Sequence, residues 1–271
     1  MLTAYYDLNL SPPTFELVSF MLRVEQERRR VGEEQVKVVF LPGHRDGFRH
    51  DNAWPHKPEG KKVMLQNVAI PICKLLPACV GVEMADGPHM APWPIFGVRA
   101  REYGHDRFVS AFSEVGGCLR SPDEYPATMQ GMVTITLRQA EHWPERNSKV
   151  SEWLKAADAF TKMGLSVLII PDCAMPINER VTTYRGAVMN FFVCNGPAFL
   201  SFGCDAPTMM FRPTNDILGG VFSSQHWQVC GVEPGRQMPN CPSHQRIVWE
   251  DDTADAIVGA FERYVDMRVY S

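Results

Sequence analysis

Residues 184–213 read YRGAVMNFFVCNGPAFLSFGCDAPTMMFRP, and this stretch sets the fold class. A helix ends near Tyr184, and the apolar run Phe191 to Cys194 follows as a short strand. Asn195-Gly196-Pro197 breaks that strand and opens a helix from Ala198 to Gly203. A second buried run, Thr208 to Phe211, closes on Arg212-Pro213. A strand that passes directly into a helix leaves backbone N–H groups at its carboxyl end, where the helix dipole favours an anion. Pro197 suits the first helical position, and Gly196 is expected to let a ligand approach the backbone closely.

Outward from this stretch, the second half places a polar group at each strand end. Met132 to Leu137 is a strand ending at Arg138. The loop from Gln139 to Lys149 carries Trp143, Pro144 and Arg146, and Ser148 or Ser151 is expected to cap a helix from Glu152 to Lys162. Leu165 to Ile170 reads as a buried parallel strand because nearly every residue is apolar, and it ends at Asp172. Beyond Phe211 come Arg212, Pro213, Thr214, Asn215 and Asp216. Open parallel sheets bind ligands outside the carboxyl ends of their strands, so these groups are expected on one edge. The long loop 219–242, with Phe222, His226 and Trp227, is expected to fold over that edge. Glu250, Asp251 and Asp252 precede a helix from Thr253 and are expected to offset its dipole.

The first half starts with a βαβ unit. Thr3 to Leu8 is a strand carrying Asp7, Thr14 can cap a helix from Phe15 to about Arg30, Gly32 stops it, and Gln35 to Leu41 is the second strand. The loop GHRDGFRHDNAWPHKPEGKK then gathers His44, Asp46, His50, Asp51 and His56, a density of titratable groups that points to a site. A helix limited or kinked by Pro71, a strand from Cys79 to Met84 and a helix from Arg107 to Val115 complete this half. The turn-rich segment 116–131 marks a boundary between units 1–120 and 131–271. The fold class is α/β, with two Rossmann-like parallel-sheet domains facing across a cleft.

With 271 residues, 45% hydrophobic and 21% charged, the chain can bury a core in one large or two modest domains. A net charge of −4 gives no reason to expect nucleic acid. No apolar run approaches a membrane-spanning length, the opening MLTAYYDLNL lacks a signal-peptide pattern, and the 8 scattered cysteines contain no CxxC pair. A cytoplasmic location is the expectation. GxGxxG, Walker, GxSxG and HExxH motifs are absent, and the spacing of His44, His50 and His56 matches no standard metal site.

VTITLRQAEHWPERNSKVSEWLKAADAFTKMGLSVLIIPD at 133–172, followed by FFVCNGPAFLSFGCDAPTMMFRPTND at 191–216, resembles the nucleotide-binding domain of GT-B-fold glycosyltransferases. The similarity is greatest to the heptosyltransferase (family 9-like) group, and the strand ending in Arg138 is also similar to fucosyltransferase-like enzymes. The resemblance implies metal-independent, inverting transfer of a sugar from a nucleotide-sugar donor to a glycan or small-molecule acceptor, with no further cofactor. It implies that Arg138, Asn195 and Gly196 hold the diphosphate, supported by Arg146 and Arg185, with Asp172 and Pro197 as further substrate-binding candidates on the same edge. Pro213, Thr214, Asn215 and Asp216 would line the nucleoside. Asp7 would be the general base, with His50 and Asp51 as alternatives. Two rival readings remain: a GT-B-like nucleotide or sugar binder without turnover, and a sugar-nucleotide epimerase whose acids and histidines would come from His44, Asp46, His50 and Asp51.

Overall fold

Two parallel sheets organise the chain. The computed structural model describes residues 1–44, 46–49, 58–87, 105–121, 131–171, 175–215 and 223–269. The first sheet joins β1 (Leu2–Asp7), β2 (Val36–Leu41) and β3 (Cys79–Met84) in the order β1-β2-β3. The second joins β4 (Met132–Leu137), β5 (Ser166–Pro171), β6 (Met189–Val193), β7 (Thr208–Phe211) and β8 (Gln245–Val248) in the order β5-β4-β6-β7-β8. All pairings of these strands are parallel. The chain therefore goes from β4 outward to β5 and returns past β4 to β6. That reversal leaves a crevice at the carboxyl ends of β4 and β6.

The second sheet is covered on both faces. Every residue of β6 and β7 is buried, as is all of β4 after Met132. Successive side chains of a strand point to opposite faces, and Phe191 and Phe192 divide accordingly. Phe191 joins Phe160 of α5 (Val150–Lys162) and Phe261 of α9 (Ala254–Val269), at centroid distances of 5.8 Å or less. Phe192 meets Tyr184 of α6 (Ile177–Gly186) edge-on at 5.1 Å. β5 does not lie inside the sheet as its apolar run suggested. It is an edge strand with Ile169 exposed, and only Ile170 is fully buried.

The first sheet alternates. Leu2, Ala4 and Tyr6 of β1 are buried while Thr3, Tyr5 and Asp7 are half-buried. Tyr6 packs edge-on against Phe20 of α1 (Glu16–Val31) at 5.1 Å and Phe40 of β2 at 5.5 Å. Thr14 Oγ1 accepts the Glu16 amide, and Gly32 ends α1 with φ 72°, as expected. After the second strand, α2 (Pro58–Met64) passes through a π-helical turn (Leu65–Ala69) into α3 (Ile70–Lys74). The helix starts earlier than its apolar pattern indicated, and the widened turn lies just before Pro71, which cannot donate to the ladder.

One hydrophobic core runs from the first sheet to the α6–α7 face of the second. α4 (His105–Val115) carries it across, with Phe108 on Phe199 at 4.8 Å and Phe112 on Phe202 at 5.9 Å in α7 (Gly196–Gly203). The expected boundary near 120–131 therefore separates sheets that share this core. Within the long segment after Asn215, Ser223 caps α8 (Ser224–Val229). Trp227 is not a lid residue. It is fully buried, and its Nε1 donates to Pro213 O at 2.9 Å. Phe222 lies outside the described residues.

Candidate functional site

A cleft opens where the topology reverses. Arg146, Val193, Cys194, Arg212, Pro213, Thr214 and Asn215 line it, around about 260 Å³ of empty space that includes open solvent. Its enclosed volume is only about 10 Å³, against ~300–1,000 Å³ for a typical small-molecule site, so the described residues outline a shallow, open depression. Its floor is the end of β6, one wall is the 3-10 turn Pro144–Arg146, and the other is 212–215.

Asn195 is 3% exposed and starts α7. Its Oδ1 accepts the Ala198 amide at 3.1 Å, while its Nδ2 has no partner among the described residues. Pro197 occupies the first turn of α7, as its missing N–H predicts. The proline and the cap together leave fewer helix N–H groups for an anion than the sequence suggested. Gly196 has a different reason for being glycine. A Cβ there would lie 2.5 Å from Phe15 Cβ, so the first half occupies the space expected for a ligand. This contact brings the loop after β1 against the turn after β6, and the carboxyl edges of the two sheets meet there.

The arginines divide their work. Arg138 is buried, and its guanidinium donates to His142 O at 2.6 Å, Trp143 O at 3.0 Å and Asn147 Oδ1. It shapes the wall loop from beneath. Arg146 donates to Cys194 O at 2.7 Å, with its guanidinium 5.7 Å from the Trp143 ring centroid. Burial pushes the Cys194 thiol up, against the opposing pull of Arg146, which suits a protonated floor residue. Arg185 is exposed in the last turn of α6. A crossover helix returns antiparallel to its strands, so this turn falls at the amino edge, away from the cleft. That removes Arg185 from the expected diphosphate group.

Pro213, Thr214 and Asn215 line the cleft, and Asn215 Nδ2 reaches Glu145 O at 3.4 Å. Asp7 ends β1 at the facing edge. Its Oδ1 accepts the Asn9 amide at 2.8 Å, a local turn that a short acid commonly makes. Nearby, Arg49 donates to Leu10 O at 2.9 Å, and the buried Lys61 donates to Arg49 O at 3.0 Å. His50, Asp51, Asp172 and Asp216 lie outside the described residues.

Two features were missed. Trp143 and Arg212 both adopt left-handed backbone, with φ 54° and 49°. Side chains of this size rarely do so, at a cost of ~1–3 kcal/mol each, and such strain gathers at functional sites. The second is the use of the 250–252 acids. Ser148 caps nothing in α5, since its Oγ accepts the Arg138 amide at 2.9 Å, and Ser151 lies inside the helix. The Lys149 amide goes to Asp252 instead, at 2.9 Å. Asp252 therefore serves α5, whereas α9 has Thr253, whose Oγ1 accepts the Ala256 amide at 3.3 Å. Burial raises the Asp252 carboxyl. Asp251, although partly desolvated, is held below the ordinary range by Lys149.

No protein-family model matches the chain, and no curated protein matches it. Among solved structures it is similar to the iron-containing dodecameric glycosyltransferase TibC from enterotoxigenic E. coli, at 13% identity and TM-score 0.46, over 77% of this chain and 57% of that one. The chain thus spans less than two thirds of that protein. It is similar to the E. coli heptosyltransferase WaaC with ADP, at 11% identity and TM-score 0.44, over 98% and 99% of the two chains. It is also similar to a family 9 glycosyl transferase from Veillonella parvula, at 10% identity and TM-score 0.45, over 98% and 89%. Identity this low, with TM-scores below 0.5, assigns nothing residue by residue. What the cleft can do is set by its own side chains. No described helix is long and apolar enough to cross a membrane.

Proposed function

We propose that the chain is a glycosyltransferase that holds a nucleotide-sugar donor at the β4–β6 crevice and transfers its sugar to an acceptor hydroxyl. The observation that carries this reading is the turn from β6 into α7. There the buried Asn195 Nδ2 has no partner among the described residues, beside a cleft edged by Arg146 and Arg212. A departing nucleoside diphosphate carries negative charge on its oxygens, and fixed N–H donors and guanidinium groups meet that charge as it develops. Pro213 to Asn215 would line the nucleoside.

In this reading transfer needs no metal and proceeds with inversion, as the sequence resemblance implies. Asp7 takes the acceptor proton from the facing edge, which the Phe15–Gly196 contact brings against the donor turn. Ser11, Arg49 and Lys61 beside it would lie on the acceptor side.

The test is calorimetric titration with ADP, GDP, UDP and their sugar conjugates. One nucleotide family should bind selectively, and Arg146→Ala should weaken it by ~1.5–3 kcal/mol, the worth of a charged hydrogen bond. Loss of transfer but not of binding in Asp7→Asn would separate an enzyme from a binder. No binding of any nucleotide by the wild-type chain would sink the reading.

A further inference from the structure

Arg212 is heavily tied, and its guanidinium joins its own segment to two other loops. It leaves β7 in a left-handed conformation, where glycine would be unstrained. Its Nη1 donates to Asn147 O at 2.9 Å and pairs with Asp252 Oδ1 at 3.2 Å. Its Nη2 donates to Glu145 O at 2.7 Å, and its Nε lies 3.5 Å from Asp251 Oδ1. One guanidinium thus joins the strained segment after β7, the wall turn that carries Arg146, and the acids between β8 and α9. Asp252 is fully buried, and its Oδ2 is occupied by the Lys149 amide at 2.9 Å and Trp153 Nε1 at 2.7 Å. Those two bonds anchor it to α5, so Arg212 is held from a fixed point. A cation in so strained a backbone position needs such an anchor, because the surrounding structure must over-determine it.

We propose that Asp252 is a positioning residue of the donor cleft. Through Arg212 it sets the separation of the turn Pro144–Arg146 from Pro213–Asn215, and so the fit of a nucleoside diphosphate between them. Asp252 touches no ligand and acts through the arginine. This deepens the donor-site reading and rests on it.

The test is a double-mutant cycle on nucleotide binding, using the full chain with ADP, GDP, UDP and inorganic pyrophosphate as probes. Asp252→Asn keeps an oxygen for Lys149 and Trp153 but removes the charge facing Arg212. It should weaken the binding probe about tenfold, the loss of one charge-assisted contact. In an Arg212→Gly background, the same change should alter affinity less than about twofold, because the two residues act as one unit. Trp153→Phe removes one of the two anchor bonds and should weaken probe binding less than Asp252→Asn does, because the Lys149 amide still holds the carboxylate. Equal loss from Asp252→Asn in both backgrounds, or no loss in either, would overturn the proposal.

Amide exchange gives an arm that needs no ligand. Residues 143–147 and 212–215 should exchange faster in Asp252→Asn while the rest of α5 is unchanged. Unchanged exchange in both segments overturns the clamp. Faster exchange in a chain that binds no probe supports the clamp and removes the donor reading, which separates the two failures.

Discussion

The two sheets of this protein are built from similar apolar strands and are covered differently. In the second sheet Phe191 and Phe192 point to opposite faces and both are fully buried, between α5 and α9 on one side and α6 and α7 on the other. In the first, Val38 and Phe40 are buried while Lys37 and Val39 are half-buried, and Lys37 forms an ion pair with Glu83 across that outer face. Parallel sheets are ordinarily covered on both faces, so the second sheet is the conventional one. The difference teaches where rigidity lies. The cleft stands on the sheet whose central strands are covered on both faces, which can hold strained residues such as Trp143 and Arg212, while the half-covered sheet presents Asp7 from the facing edge.

The largest expected effect sets the sheets against each other. Phe191→Ala should destabilise the fold by ~3–5 kcal/mol, because the residue packs between Phe160 and Phe261 in a region that cannot collapse easily. Val39→Ala on the half-buried face should cost under ~1 kcal/mol by chemical denaturation. Similar losses at both positions would erase the comparison.

Next comes the contact between the halves. Gly196→Ala drives a methyl group into Phe15 and should cost ~1–3 kcal/mol as overpacking. Phe15→Ala in the same chain should return part of that loss. A neutral Gly196→Ala would mean that the edges do not meet as described.

The smallest effect is in pH. Burial alone would raise Glu25 of α1, but hydrogen bonds from Arg28 and Arg29 outweigh it and hold the carboxyl below its ordinary 4.5. Its stabilisation is therefore complete above that value and is lost as pH falls through the lower folded value. Glu25→Gln should flatten that part of the acid limb of melting temperature against pH, by about 1 kcal/mol or less. Asp252 has the opposite sign. Its carboxyl is raised, so ionisation costs the folded state, and that cost is relieved as pH falls through the folded value. An unchanged acid limb in Glu25→Gln would place the dominant titration elsewhere.

Much of the fold was legible because local patterns suffice for local elements. Thr14 and Gly32 bracket α1, Pro197 sits in the first turn of α7, and the strand ends fall where the apolar runs stop. The carboxyl-edge rule put Arg138, Asn195 and Pro213 to Asn215 on one edge of the second sheet without knowledge of any contact, and of these Pro213 to Asn215 line the cleft. It could not show which way each side chain turns. Arg138 faces its own loop, Arg185 lies at the far edge, and Trp227 is core. All three depend on partners distant in sequence or on the return direction of a crossover helix.

By itself, the sequence determined the alternation of strands and helices, the break at Asn195-Gly196-Pro197 and the polar groups at the strand ends. Each of these follows from backbone chemistry within a few residues. Only the tertiary structure decided that β5 is an edge, that Phe15 fills the space over Gly196, and that Asp252 reaches across 103 positions to the amide of Lys149. Those outcomes depend on which elements become neighbours. Neighbourhood is set by burying apolar surface from the whole chain at once, which no local pattern records.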